Sequence, residues 1–168
     1  ASMRCELTKS THTRDSSENY VSGSAEVIGL LCLDAFYAGQ ARPAGIEEGA
    51  RRLGAAFQKI NFLRDLREDS ADLGRSYFPA LPDPTGLDEE RKAAIIADIR
   101  EDLSVAQGAI ELLPRGSRMG VAAATALFTE LTDQLEATPA AEIITTRVSV
   151  SPARKAFLVS RAAASAVK

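Results

Sequence analysis

Cysteine and histidine are scarce in this 168-residue chain, and tryptophan is absent. Cys5 and Cys32 are too few and too far apart to read as a metal centre or a redox pair; a reduced, cytosolic setting suits them. The one histidine, His12, lies in a polar stretch and reads as a surface residue. Long hydrophobic runs are also missing. The longest, 27–33, is far below the roughly 20 residues that cross a bilayer, and Asp34 stops it. No stretch reads as a secretory leader. Positive charge is in short supply: 20 Lys and Arg against 23 Asp and Glu leave a net charge of −3. Binding to a phosphate backbone needs a basic surface, so a nucleic-acid partner is not expected.

What remains is an ordinary globular composition, 45% apolar and 26% charged. That is enough to bury one core, and no repeat or low-complexity segment divides the chain, so a single domain over 1–168 is expected. The periodicity is helical nearly throughout. Residues 1–8 read as a helix end and 10–17 as a loop. Asp15 or Ser16 caps a helix that runs to about Tyr37 and is rich in small residues. Gly39, Pro43 and Gly45 mark a connection. A proline-free helix follows over about 46–72, with Gly74 as its C-cap. Residues 75–79 read as extended, and the three prolines Pro79, Pro82 and Pro84 as a loop. Asp88 caps a helix over 89–113, which Pro114 and Gly116 break. The next helix runs from Ser117 to about Ala137. Residues 143–150 are β-branched and read as a connecting piece. Ser151 and Pro152 then open a last helix as N-cap and first helical residue. Beyond Leu87 the chain reads as scaffold.

The chemistry concentrates in the run N-F-L-R-D-L-R-E-D, 61–69. Positions four apart on a helix lie nearly above one another, so Asn61, Asp65 and Asp69 form one oxygen-bearing stripe. Gln58 and Phe57 point to much the same side, and Arg64 and Glu68 flank it. Ala56, Leu63 and Leu66 lie opposite and suit a core. Hard oxygen ligands of this kind are what Mg²⁺ takes, completed by water and phosphate. Arg64 is placed to hold a diphosphate by paired hydrogen bonds. On charge alone the commoner outcome of such a run is a solvated face with ion pairs such as Arg64 with Glu68. Asn61, a mediocre helix former set between Ile60 and Phe62, is what such a face does not need.

The run G-A-A-F-Q-K-I-N-F-L-R-D-L-R-E-D-S-A-D-L-G-R-S-Y-F-P, 54–79, resembles the second aspartate-rich region of the squalene/phytoene synthase family, and most of all its phytoene synthases. A second stretch, Y-V-S-G-S-A-E-V-I-G-L-L-C-L-D-A-F, 20–36, resembles the family's tyrosine-containing helix, departing from squalene-type members at Glu26. The resemblance implies an all-α helical bundle of the isoprenoid synthase type. It also implies a Mg²⁺-dependent (or Mn²⁺-dependent) head-to-head condensation of two geranylgeranyl diphosphates through a cyclopropyl diphosphate, the step that opens carotenoid biosynthesis.

Carried over residue by residue, Asn61, Asp65 and Asp69 are the metal ligands. Gln58, Arg64 and Arg75 contact diphosphate. Tyr20 faces the carbocation, and Tyr20 and Arg64 are the catalytic pair. No second D-x-x-x-D is found that matches the family's first motif. The expectation is therefore a C-terminal portion of the synthase, inactive or weakly active alone, that associates with a second copy or with an N-terminal half. Peripheral membrane contact and a cytoplasmic location are expected with it. Two readings compete: a non-catalytic helical relative that serves as an assembly or interaction module, and, within the enzyme class, a squalene or dehydrosqualene synthase.

Overall fold

The structure, a computed structural model, describes residues 25–68, 78, 81 and 83–166. Their regular elements are all helical. In order these are α1 (Val27–Tyr37), α2 (Ile46–Arg64), α3 (Leu66–Glu68), a 3-10 turn (Pro84–Gly86), α4 (Glu89–Leu112), α5 (Arg115–Ala137), α6 (Ala140–Ile143) and α7 (Pro152–Ala166). The all-α expectation holds, and the packed helices are in keeping with a bundle of the isoprenoid synthase type. The helix end, loop and cap expected within 1–17 lie outside the described residues.

The helix boundaries have local chemical causes. Past Tyr37 the backbone turns left-handed at Ala38 and Gly39, and again at Gly45, where glycine carries no Cβ to object. Asp88 accepts a hydrogen bond from the Arg91 N–H at 2.8 Å and so caps α4. Leu112 ends α4, and its orphaned carbonyl accepts the Tyr37 hydroxyl at 2.8 Å. Pro114 stands just before α5, which opens two residues earlier than the sequence suggests, at Arg115. Ser151 accepts from the Arg154 N–H at 3.3 Å at the start of α7, as its cap position requires. The buried Lys92 ammonium donates to the carbonyls of Glu136 and Thr138 at 3.1 and 2.7 Å, closing the end of α5.

One expectation needs correction. The motif helix does not run unbroken from Ile46 towards 72. It ends at Arg64, Asp65 takes φ −95° and ψ 11°, and a separate short helix follows. The reason lies in the side chains. Adjacent residues on a regular helix point about 100° apart and do not face each other. Yet Arg64 grips Asp65 with two hydrogen bonds, from Nε at 2.8 Å and from a terminal guanidinium nitrogen at 2.5 Å. That contact and the departure from helical geometry come together.

Packing centres on α2, which makes its most extensive contact with α4. Ile60, Leu63, Ile99, Leu135 and Ile143 are fully buried in the main cluster. Each contributes roughly 2 kcal/mol by leaving water. Phe62 meets Phe78 edge to face, with ring centroids 6.3 Å apart. A second cluster joins Leu33, Tyr37 and Ile46 to Ile110 and Leu113. Small residues let the backbones close in. A Cβ on Gly54 would strike the Ala25 carbonyl oxygen, and one on Gly49 would strike Ala109.

A charged cluster lies between α2 and α4. Asp102 is 1% exposed. It accepts from Arg52 and from Lys59, each at 2.8 Å. Arg52 also bonds Glu48 at 2.8 Å, and Lys59 reaches Asp98 at 2.6 Å. Hydrogen bonds to Asp102 and then Glu48 hold Arg52 above its ordinary value. Burial works against the Lys59 charge, but its bonds to Asp102 and Asp98 outweigh it, and its pKa is raised.

Two outcomes follow from this packing. Asp102→Ala should lower unfolding free energy by about 3 kcal/mol, the low end for a broken buried pair, because Glu48 and Asp98 remain as second partners. Urea unfolding checks the figure. Lys59 titrates above an unfolded lysine, so its contribution is complete at neutral pH and is lost only as pH rises through the folded value. The penalty should thus be equal at mildly acidic and mildly alkaline pH. Gly54→Ala should cost about 1–3 kcal/mol by overpacking, read in the same way.

Candidate functional site

The site is built on one face of α2. At 100° per residue, Ile46, Gly49, Ala50, Leu53, Gly54, Phe57 and Gln58 share a stripe. All seven line a cavity of about 320 Å³ between α1, α2, α4 and α5. Ile28 and Phe36 of α1, Ile110 of α4 and Val121 of α5 are among its other walls. The ring of Phe57 lies stacked on Phe128, with centroids 4.0 Å apart and planes 15° from parallel. Along α2 the lined stretch from Ile46 to Gln58 is about 18 Å at 1.5 Å per residue.

The stripe changes character at Gln58. Below it every lining residue of α2 is apolar or glycine. Above it come Asn61 and Asp65, both half-buried. The Asn61 carbonyl accepts the Asp65 N–H at 2.9 Å, so the two belong to one turn despite the break. The Asp65 carboxylate is 22% exposed and is held by two guanidinium groups. Arg64 binds both oxygens, and Arg147 reaches Oδ1 at 3.1 Å. Cys32 of α1, a free thiol, also lines the cavity.

Arg147 is the residue the sequence did not reveal. It comes from 143–150, which read as a connecting piece within scaffold. The segment does lack regular structure after its first residues, but Val150 is buried and Val148 packs against the main cluster. Those anchors bring Arg147 across to α2. The available signal was a lone cation in a β-branched run, and nothing in the spacing names its partner. Gln58, Asn61 and Arg64 thus follow one another along α2 to Asp65, where Arg147 joins Arg64 on the carboxylate. Tyr20, Asp69 and Arg75 lie outside the described residues.

A divalent cation suits this donor chemistry. The Asn61 amide oxygen and the Asp65 carboxylate are hard ligands on one turn. Asp65 already draws two positive groups to its oxygens. Among the described residues no cluster of three His, Cys, Asp or Glu side chains forms, and Asp69 stands beyond them. Nor, among those residues, is any helix long and apolar enough to cross a membrane.

Comparison with known proteins bears on the same face. Residues 1–81 match the family model described as squalene/phytoene synthase. That stretch contains every expected site residue, whereas Arg147 lies beyond it. The chain is also similar to a bifunctional lycopene cyclase/phytoene synthase of Phycomyces blakesleeanus. The two are 36% identical over 100 residues, covering 50% of this chain and 17% of that relative. The chain thus spans a small part of the curated relative it matches. Residues 1–81, which carry Gln58, Asn61, Arg64 and Asp65, are thus the part of the chain that belongs with the squalene/phytoene synthase family.

Proposed function

We propose that this chain carries part of the active site of a phytoene synthase, a prenyltransferase of carotenoid biosynthesis that joins two geranylgeranyl diphosphates head to head. One observation carries the reading: the α2 lining of the cavity is apolar from Ile46 to Phe57 and ends at Gln58, and Asn61 and Asp65 follow on the same line of the helix beyond it. A molecule with a long apolar tail and an anionic head matches that order. The match to a relative whose name includes phytoene synthase supports the same class.

In this reading Asn61, Asp65 and Asp69 hold Mg²⁺, which when bound supplies positive charge against the departing diphosphate. Gln58 donates its amide N–H to diphosphate oxygens at the cavity mouth. Arg64 and Arg147, which already converge on Asp65, place two guanidinium groups where negative charge builds as the carbon–oxygen bond breaks. Arg75 adds a further contact to the same group. The prenyl tails lie along Leu53 and Phe57, where the apolar lining excludes water that would quench an allylic cation. Tyr20 faces that cation. Attack by the second substrate then gives the cyclopropyl diphosphate, and a second ionisation leads to phytoene.

The test is calorimetry with a non-hydrolysable geranylgeranyl diphosphate analogue, with and without Mg²⁺, on this chain and on Asp65→Asn. Binding is expected only with Mg²⁺. It should weaken at least about tenfold in the variant, a loss of ~1.4 kcal/mol. No binding in either condition, or binding indifferent to Asp65→Asn, overturns the proposal.

A further inference from the structure

The Asp65 carboxylate is held from two directions that differ in kind. Arg64, its chain neighbour, grips both oxygens, Oδ1 from Nε at 2.8 Å and Oδ2 from a terminal nitrogen at 2.5 Å. That grip belongs with the backbone break, because α2 ends at Arg64. Arg147 comes from across the fold and reaches Oδ1 through a terminal nitrogen at 3.1 Å. Its side chain is 48% exposed, against 24% for Arg64. Oδ1 is therefore shared by both arginines, and Arg147 is its longer and more solvated contact.

The backbone beneath Arg147 is anchored on both sides. Ile143 and Val150 are buried, and Val148 packs against the main cluster. Thr145, Thr146 and Arg147 lie exposed between those anchors. An arginine on such a shoulder changes partner by turning its own side chain, with no movement of the helices. The charges around Asp65 give it a reason to do so. Like charges repel at short range, so two guanidinium groups on one carboxylate oppose a metal ion that comes alone. The carboxylate in turn opposes a diphosphate that comes alone. Together the two ligands offer each group a partner, since a guanidinium bonds phosphate oxygens as readily as carboxylate ones.

We infer that Arg147 is a positioning residue that exchanges partners: it holds Asp65 Oδ1 until a divalent cation and a diphosphate bind together, then passes to the phosphate oxygens. Asp65 gives up Oδ1 to the metal only when Arg147 has another anion to meet. The exchange makes the two ligands cooperative, and it keeps Asp65 satisfied in their absence. The inference rests on the proposed reading of Asp65 as a metal ligand. It adds to that reading the coupling between the ligands and a residue, Arg147, that lies beyond the matched residues 1–81.

Calorimetry on the full chain tests it, with Mg²⁺ alone, inorganic pyrophosphate alone and the two together, for the wild type and for Arg147→Gln. Affinity for Mg²⁺ alone should rise in the variant. The coupling, meaning the factor by which pyrophosphate strengthens Mg²⁺ binding, should fall by about fivefold. Association of Mg²⁺ with pyrophosphate in free solution is common to both proteins and cancels. Arg147→Lys keeps the charge and a donor, and should retain most of the coupling. Thermal melts of all three should agree, since Val148 and Val150 hold the segment to the core. A contact that only tethered the segment would give no gain in Mg²⁺ affinity when cut. A positive charge that merely stood nearby would change each affinity singly and leave the coupling as it was. Either result, in a wild type that binds Mg²⁺ and pyrophosphate together, overturns the inference and leaves the reading of the site intact. A wild type that does not bind them together overturns that reading, and the inference with it.

Discussion

Much of this structure depends on how α2 is turned about its own axis. The helix has two demands on it. One line of residues must meet α4, and another must face the cavity and the polar groups at its mouth. Arg52 and Lys59 lie on one line, and Asn61 lies almost diametrically across. The Asp102 carboxylate, buried and bonded to both cations, therefore fixes the rotation at which Gln58, Asn61 and Asp65 are presented. Apolar packing alone is tolerant of small rotations. Two hydrogen-bonded ion pairs to one buried carboxylate are not, because an unpaired buried charge is costly.

The small residues act with that clamp. Gly54 and Gly49 lie on the flanks of α2 where α1 and α4 come closest, and an added Cβ at either would collide with its neighbour. Close approach at these points keeps α1 against α2 while leaving the cavity beside them. Larger side chains there would separate the helices and change the shape of the space between them. The cavity is thus a consequence of where side chains are missing as much as of those that line it.

Past Gln58, the last α2 residue of the cavity lining, backbone geometry and charge change together. Asp65 interrupts the helix, and both its oxygens are engaged by arginine. A carboxylate so placed gathers positive charge about two turns beyond Phe57, the last apolar residue of the α2 lining. In the proposed reading, charge neutralisation at that end and exclusion of water along the apolar lining are what the ionisation of a prenyl diphosphate demands.

Much of this was legible in the residues. Periodicity and caps determined the helices, since Asp88, Ser151 and the glycines at 39 and 45 act through the backbone beside them. Spacings of three and four placed Gln58, Asn61 and Asp65 on one face, because helical rise and rotation are set by backbone geometry. The tertiary structure alone decided the rest. That Asp102 is buried between Arg52 and Lys59 and that Arg147 reaches Asp65 from eighty-odd residues away are both pairings across space. The break at Asp65 belongs with them, because a contact with Arg64 replaced the regular helix that local propensity favoured. Local rules act over a turn or two of chain; which side chains meet is settled only when the helices pack.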